Sequence, residues 1–428
     1  MKKCLSVLIM GCVFSMYIFP FSFTFLPIGN TKIYEALLGL GIWVLQLIRG
    51  TDKLIGRQMV VVSVWAMIVS LISLCSLAYN NATDTAYTGY IISMWVWSGA
   101  AYFVCSCIKK IHGSLNVVLI CHYFIGVCVA QCVVALLNEF VPVFNAVINK
   151  LIINENQAYL ISVDRMYGIG AAFDTAGTRF SCALIMISYC LSVVGKDIQK
   201  TVIYAYILSF VFISVVGNMV ARTTSAGMMI GVAYLIYANW SPLYVSRSNN
   251  NVFKYFLCVL VAFLPLLLFV YSIPEVKPLL DFAFEGFFAF VETGTWETHS
   301  TNELLHMWTK TPDLLKTWII GDGYFLSPHA TNPYYVGDNQ WAYYMGTDVG
   351  YLRFIFYFGL LGLSVFALFF IFCTRACVLK FPRHRFLFYM ILLMNLVIWA
   401  KVSTDLYCVF ALFLMSDSEG MGGGLIEV

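Results

Sequence analysis

Leu115–Leu137 reads LNVVLICHYFIGVCVAQCVVALL. It contains no Asp, Glu, Lys or Arg. A helix of that length, rising about 1.5 Å per residue, matches the ~30 Å hydrocarbon core of a bilayer. Lipid offers no partner for an open N–H or C=O, so such a run is stable there only as a helix that bonds its own backbone. It is read as a transmembrane span.

Similar runs recur on both sides of it. Spans are expected near Cys4–Ile28, Ile33–Ile48, Met59–Tyr79, Tyr90–Ile108, Phe180–Val194, Val202–Val220, Ser225–Trp240, Phe253–Ile273, Val349–Cys373, Phe386–Ala400 and Ser403–Met415. The last two are short enough to form one bent hairpin. The fold class expected is therefore all-α, a polytopic integral membrane protein with about 12 transmembrane helices. Composition agrees: 61% hydrophobic and 11% charged residues stand far from the roughly 45–50% and 25% of soluble domains. A net charge of +3 without a basic run gives no reason to expect a nucleic-acid partner. The fourteen cysteines lie in or at the ends of apolar segments, where a thiol serves as a small lipid-compatible group rather than a disulfide or metal ligand. Met1-Lys2-Lys3 before an apolar run resembles a signal peptide, but the run continues to Phe25 without a small-x-small cleavage site, so a retained first helix is expected.

Basic residues orient the chain. With the N-terminus inside, the inner segments carry Lys2 and Lys3; Arg49, Lys53 and Arg57; Lys109 and Lys110; Lys196 and Lys200; Arg247 and Lys254; and Arg375, Lys380, Arg383 and Arg385. The outer turn Asn80–Gly89 has none. Both termini are expected in the cytoplasm. The organisation expected is nine spans over residues 1–273 with an outer loop at 138–179, a large outer loop at 274–346, three spans over 347–415, and a tail at 416–428. The large loop carries Trp296, Trp308, Trp318 and Trp341, an aromatic content that argues for a folded helical segment. Within it, Ser300-Thr301-Asn302-Glu303 reads as a capping box, Gly321-Asp322-Gly323 as a tight turn, and Leu279–Val291 as an interfacial or re-entrant helix.

Four arginines stand at or near the outer ends of spans: Arg165, Arg179, Arg222 and Arg353. A guanidinium at membrane depth costs about 2.5–3.5 kcal/mol at mid-span and less near the interface. Its planar fork fits phosphate oxygens in two-pronged fashion, which points to a phosphate-bearing lipid. The competing reading has each arginine reaching headgroups or pairing with a nearby carboxylate such as Asp164 or Asp174. Arg222, in a very short turn between two apolar spans, is the most informative single one. Asp348 precedes the span after the large loop, where a carboxylate can accept a proton from a sugar hydroxyl or simply cap the helix. Five residues separate it from Arg353, about 140° on an ideal helix, so pairing is not assumed. His299, His306 and His329 suit proton transfer, and their spacing matches no compact metal site. Trp308 and Tyr324 offer flat faces to sugar rings, or form the core of a loop domain. No P-loop or dinucleotide fingerprint is present.

Four pieces of sequence occur in the order of a known family. They are Arg165-Met166-Tyr167-Gly168 with Phe173-Asp174; Ala221-Arg222-Thr223-Thr224-Ser225; Ile319-Ile320-Gly321-Asp322-Gly323; and Asp348-Val349, nine residues, then Gly359-Leu360-Leu361-Gly362. With the span layout, the chain resembles a Wzy-type O-antigen polymerase of the O-antigen ligase and polymerase superfamily. Asp348-Val349 departs from the ligase pattern His-Asn, which favours the polymerase branch. The resemblance implies a C-type glycosyltransferase fold in a bacterial inner membrane and a metal-independent inverting reaction without cofactor. An undecaprenyl-pyrophosphate-linked oligosaccharide would be both donor and acceptor, and a polysaccharide chain-length regulator is a candidate partner besides membrane lipids. Arg165, Arg179, Arg222 and Arg353 would hold the pyrophosphate, Asp348 with Arg222 would be catalytic, and His299, His306, His329, Trp308 and Tyr324 would meet substrate. The alternatives are a ligase moving polymer to lipid A core, and a flippase for the same lipid.

Overall fold

A computed structural model describes residues 2–26, 29–50, 56–153, 165–193, 200–240, 252–295, 298–328 and 343–417. Asp164, Trp296, His329, Trp341 and most of the expected tail lie outside the described residues. The described residues are mostly helical. In order the helices are α1 (Lys2–Ile18), α2 (Thr31–Ile48), α3 (Arg57–Asn80), α4 (Tyr90–His112), α5 (Val117–Phe140), α6 (Pro142–Leu151), α7 (Phe173–Val193) and α8 (Lys200–Val220). There follow α9 (Thr224–Trp240), α10 (Val252–Tyr271), α11 (Lys277–Thr293), α12 (His299–Trp308), α13 (Leu315–Ile320), α14 (Gly350–Lys380), α15 (Arg385–Ile398) and α16 (Tyr407–Met415). Among the described residues, eight of these (α2, α3, α4, α5, α7, α8, α10 and α14) are long and apolar enough to cross a membrane. That is the signature of a polytopic membrane protein. The other four expected spans fall on α1 and α9, each of 17 residues, and on α15 and α16, of 14 and 9.

Several expected boundaries are corrected. The first span stops at Ile18, ten residues short of Ile28. Pro20 disfavours helix at the residue before it, and the chain instead forms β1 (Ser22–Phe23), antiparallel to β2 (Ile152–Ile153). The outer loop at 138–179 is partly helical: α6 lies in it, and α7 begins at Phe173, seven residues before the expected Phe180. The helix starts there because Gly170 (φ 66°) and Phe173 (φ 50°) turn the chain. In the large loop the cap of α12 is Thr298, whose hydroxyl accepts from the Thr301 amide, so the box at Ser300–Glu303 opens two residues too late. The N-cap of α14 is Val349, so Asp348 does not cap it.

The chain divides into two compact units. The first comprises Met1–Glu35, Tyr102–Thr293 and Ser416–Val428. Its centre is α7, almost wholly buried and packed on α5, α8 and α9. Without a hydrophobic drive between helices in lipid, small residues that allow close approach do the packing. Gly227 of α9 sits on the Ser181 backbone, its amide donating to the Ser181 hydroxyl (3.2 Å), and Gly231 faces Ser188.

The second unit comprises Ala36–Ala101 and Gly294–Met415. Its spine is an antiparallel pair. Trp65 of α3 stacks on Phe372 of α14 at 4.7 Å, while the Ser76 hydroxyl, farther along α3, donates to the Tyr357 carbonyl, farther back on α14 (2.7 Å). α14 is broken at Phe358–Gly359, where Gly359 has φ 70° and ψ −176°. A break frees carbonyls that the helix would have bonded, and buried ones must find other partners. The Asp322 amide donates to the Phe356 carbonyl (2.6 Å) and the Gly323 amide to the Tyr357 carbonyl (3.1 Å). The turn after α13 and the Gly359–Gly362 segment, read separately in the sequence, are thus two sides of one backbone junction.

Candidate functional site

Three of the four arginines belong to the first unit. Arg165 stands in an irregular segment, 165–172, between β2 and α7, in which Met166 and Tyr167 are buried. Backbone at such depth needs partners. α5 supplies them: the Gln131 amide group donates to the Ile169 carbonyl and accepts from the Ile169 amide (3.0 Å each), and Asn138 Nδ2 donates to the Tyr167 carbonyl (3.2 Å). Arg222 stands in the turn between α8 and α9. The Ser181 hydroxyl of α7 donates to the Thr223 carbonyl there (2.9 Å), and Gly177 leaves room for the Thr223 side chain.

Both segments deliver a guanidinium to one ring. Arg165 and Arg222 lie over Phe282 of α11, with their Cζ atoms 5.1 and 4.2 Å from its centroid. Arg165 also meets Phe173 at 5.9 Å. One turn farther along α11, Glu285 forms an ion pair with Arg222 Nη1. Each contact of a cation with a ring face contributes about 0.5–2 kcal/mol, and the ring holds two like charges, one of them paired with Glu285. Two gathered guanidiniums, partly exposed (21% for Arg222), are suited to an anion with more than one charge. Arg179, expected at the end of an outer loop, is instead inside the second turn of α7 and buried. Its Nη1 donates to the Thr175 carbonyl (3.0 Å), its Cζ lies 5.6 Å from the Phe19 centroid, and its Nε is buried without a partner.

Arg353 belongs to the second unit and is 6% exposed. Its Nη1 donates to Asp348 Oδ1 (3.2 Å) and to the Ser403 hydroxyl (2.8 Å), and its Nη2 to the Phe325 carbonyl (3.2 Å). The guanidinium lies between Phe325 and Tyr343, with centroids at 3.7 and 4.0 Å. Ideal-helix geometry gave no ground for the Asp348–Arg353 pair. Because α14 starts only at Gly350, Asp348 is on extended chain and swings back over the first turn. Both amino groups of Arg353 are taken up by protein, so here it orients Asp348, whose side chain is about a quarter exposed (26%). Behind the pair is Tyr87, in the turn between α3 and α4, ringed by Phe325, Phe354, Tyr357, Phe358 and Phe366. Burial, and then the negative charge of Asp405, push its hydroxyl above the ordinary phenol range, while Arg353 pulls the other way.

Of the remaining expected contacts, three lie on α12 and one follows α13. His299 opens α12 and His306 is exposed near its end. Trp308 Nε1 donates to the Ala400 carbonyl (3.2 Å), and Tyr324 stacks on Tyr344 at 5.6 Å. Both side chains have protein partners, and Trp308 is 38% exposed. The sequence reading missed Phe282 and Glu285, which it saw only as part of an apolar helix, and the anchoring amides Gln131 and Asn138. Among the described residues no group of three or more His, Cys, Asp or Glu is arranged to hold a metal ion. Comparison of the chain with protein-family models, curated proteins and solved structures found no significant match.

Proposed function

We propose that the chain is an O-antigen polymerase of the C-type glycosyltransferase kind, crossing a bacterial inner membrane twelve times with both termini in the cytoplasm. The twelve crossings are the eight long helices with α1, α9, α15 and α16. The observation that carries the reading is the pair of guanidiniums, Arg165 and Arg222, gathered on Phe282. They come from two of the four segments on which the family resemblance rests.

The reaction joins lipid-linked oligosaccharide repeats. A hydroxyl of the acceptor sugar attacks the anomeric carbon of the donor from the face opposite its diphosphate. The new C–O bond forms as the bond to the diphosphate breaks, the electron pair leaves on the phosphate oxygen, and the configuration inverts. Charge grows on that leaving group in the transition state, where fixed cations stabilise it most. Arg165 and Arg222 take that part, and Arg179, buried in α7, is the third arginine we assign to the diphosphate. Within the second unit, Asp348, oriented by Arg353, is the carboxylate we assign to proton acceptance. The sugar–diphosphate bond is itself the energy source, so the reaction proceeds without nucleotide.

The test is lengthening by purified protein supplied with synthetic repeats on undecaprenyl diphosphate. We expect oligomers without ATP, and a loss of about 10- to 100-fold in Arg222→Ala, from the roughly 1.5–3 kcal/mol of a charge-assisted hydrogen bond. The variant should still insert and show wild-type helicity. Wild-type chain lengths from Arg222→Ala, or transbilayer movement of the lipid without lengthening, would overturn the reading.

A further inference from the structure

At the other end of the α3–α14 pair is a pocket of about 380 Å³, lined by Arg57, Gln58, Val61, Phe372, Arg375 and Leu379 with Ala376. That volume is within the range of small-molecule sites, roughly 300–1,000 Å³. Arg375 is 22 residues beyond Arg353 on α14, on the order of 30 Å along the helix, which is the thickness of the hydrocarbon core. The pocket therefore belongs to the opposite membrane face from Asp348 and Arg353.

Its chemistry is divided in two. One wall is apolar and open, with Val61 38% and Leu379 58% exposed, and the Trp65–Phe372 stack adjoins it. The rim is cationic: Arg57 and Arg375 are exposed, and among the described residues neither has an ion pair or hydrogen bond. Among the described residues, no carboxylate lines the pocket. Arg57 is also the first residue of α3, whose cap residue is Gly56, with no side chain to accept from the first amides. The N-terminus of this 24-residue helix thus adds N–H groups without a cap among the described residues, and the positive end of its dipole, to the same rim. Two guanidiniums, an uncapped helix start and an exposed apolar wall match a phosphate diester carrying an acyl chain.

We propose that this pocket is a binding site for an anionic phospholipid of the leaflet on that side. Its phosphate sits between Arg57 and Arg375 within reach of the α3 amides and Gln58, and its chain runs along Val61, Phe372 and Leu379. The bound lipid ties the start of α3 to the end of α14, closing the pair at the end away from the Ser76–Tyr357 bond. The site is independent of the proposed polymerase reading.

The experiment is native mass spectrometry of the full chain released from micelles titrated with phosphatidylglycerol, phosphatidylcholine or inorganic phosphate. Wild type should retain phosphatidylglycerol about tenfold better than phosphatidylcholine, as two arginines at an anionic headgroup warrant. R57Q/R375Q should lose that preference while its circular dichroism and melting in micelles stay unchanged, and K109Q/K110Q, on another basic turn, should keep it. Equal retention of the two lipids, full retention by R57Q/R375Q, an equal loss in K109Q/K110Q, or displacement of the lipid by millimolar phosphate would each overturn the proposal. If R57Q/R375Q melts early, charge reversal of the lipid decides: a cationic lipid retained by wild type as well as phosphatidylglycerol would also overturn it.

Discussion

Gly359→Ala is expected to open the junction between α13 and α14. Gly359 has φ 70° and ψ −176°, a region open essentially to glycine alone, in which another residue costs about 1–3 kcal/mol. A methyl group there would also run into the Ile319 carbonyl, so α13 must move. Movement strains the bonds from the Asp322 and Gly323 amides to the Phe356 and Tyr357 carbonyls, 2.6 and 3.1 Å long. Each such bond contributes about 0.5–1.5 kcal/mol net. The expected loss is therefore about 2–6 kcal/mol, felt first at the junction. Unfolding in micelles gives the total, and hydrogen exchange at residues 321–323 gives its location. Gly126→Ala is the control: it lies in α5 with no atom within 4 Å of the added carbon, and should gain about 0.5–1 kcal/mol. If Gly359→Ala unfolds as wild type does and the amides of Asp322 and Gly323 keep their protection, the junction does not depend on that backbone.

Two further variants probe the proposed chemistry. Asp348→Asn keeps a hydrogen-bond acceptor for Arg353 but removes the base, so lengthening should fall about 100-fold or more with helicity unchanged; undiminished lengthening would leave Asp348 a purely structural partner of Arg353. Glu285→Gln frees Arg222 from its ion pair, so undecaprenyl diphosphate should bind severalfold more tightly, as measured by calorimetry in micelles, and weaker or equal binding would show that Glu285 does not compete with the ligand.

The helices were legible wherever apolar length alone decides, as in α5 and α14. Ends set by tertiary bonds were not. Nothing in the apolar run through Phe25 shows that Phe19–Thr24 leaves the helix to meet β2 and the end of α6. The start of α7 is hidden by Thr175, Thr178 and Ser181, which lower the hydropathy of a segment that is in fact buried among other helices. Asp348 and Arg353 look five apart on a helix only if the helix includes both. The glycines of 321–323 and 359–362 carried a signal, since φ near +70 to +80° at Gly321, Gly323 and Gly359 requires that residue. No local pattern says that the two glycine segments bind each other.

Phe282 and Glu285 escaped for a related reason. On a helix reading LLDFAFEGFFAF, one more phenylalanine and one isolated glutamate carry no pattern, and their meaning depends on what folds against them. Once Arg165 and Arg222 are set on the same ring, their mutual repulsion in a medium of low dielectric must be offset. The aromatic face offsets part and the Glu285 carboxylate another part. A carboxylate on a helix that breaks its own geometry at Phe284 (φ −120°, ψ 18°) is a local counter-charge that a diphosphate, with more oxygens and more charge, can outcompete. The buried side chains of α5 and α7 fix the backbone beneath both arginines, while the counter-charge of Arg222 comes from a third, interrupted helix. If the chain takes up and releases a doubly charged lipid, as proposed, that division serves it: the cations stay in place, and the anion beside them is replaceable.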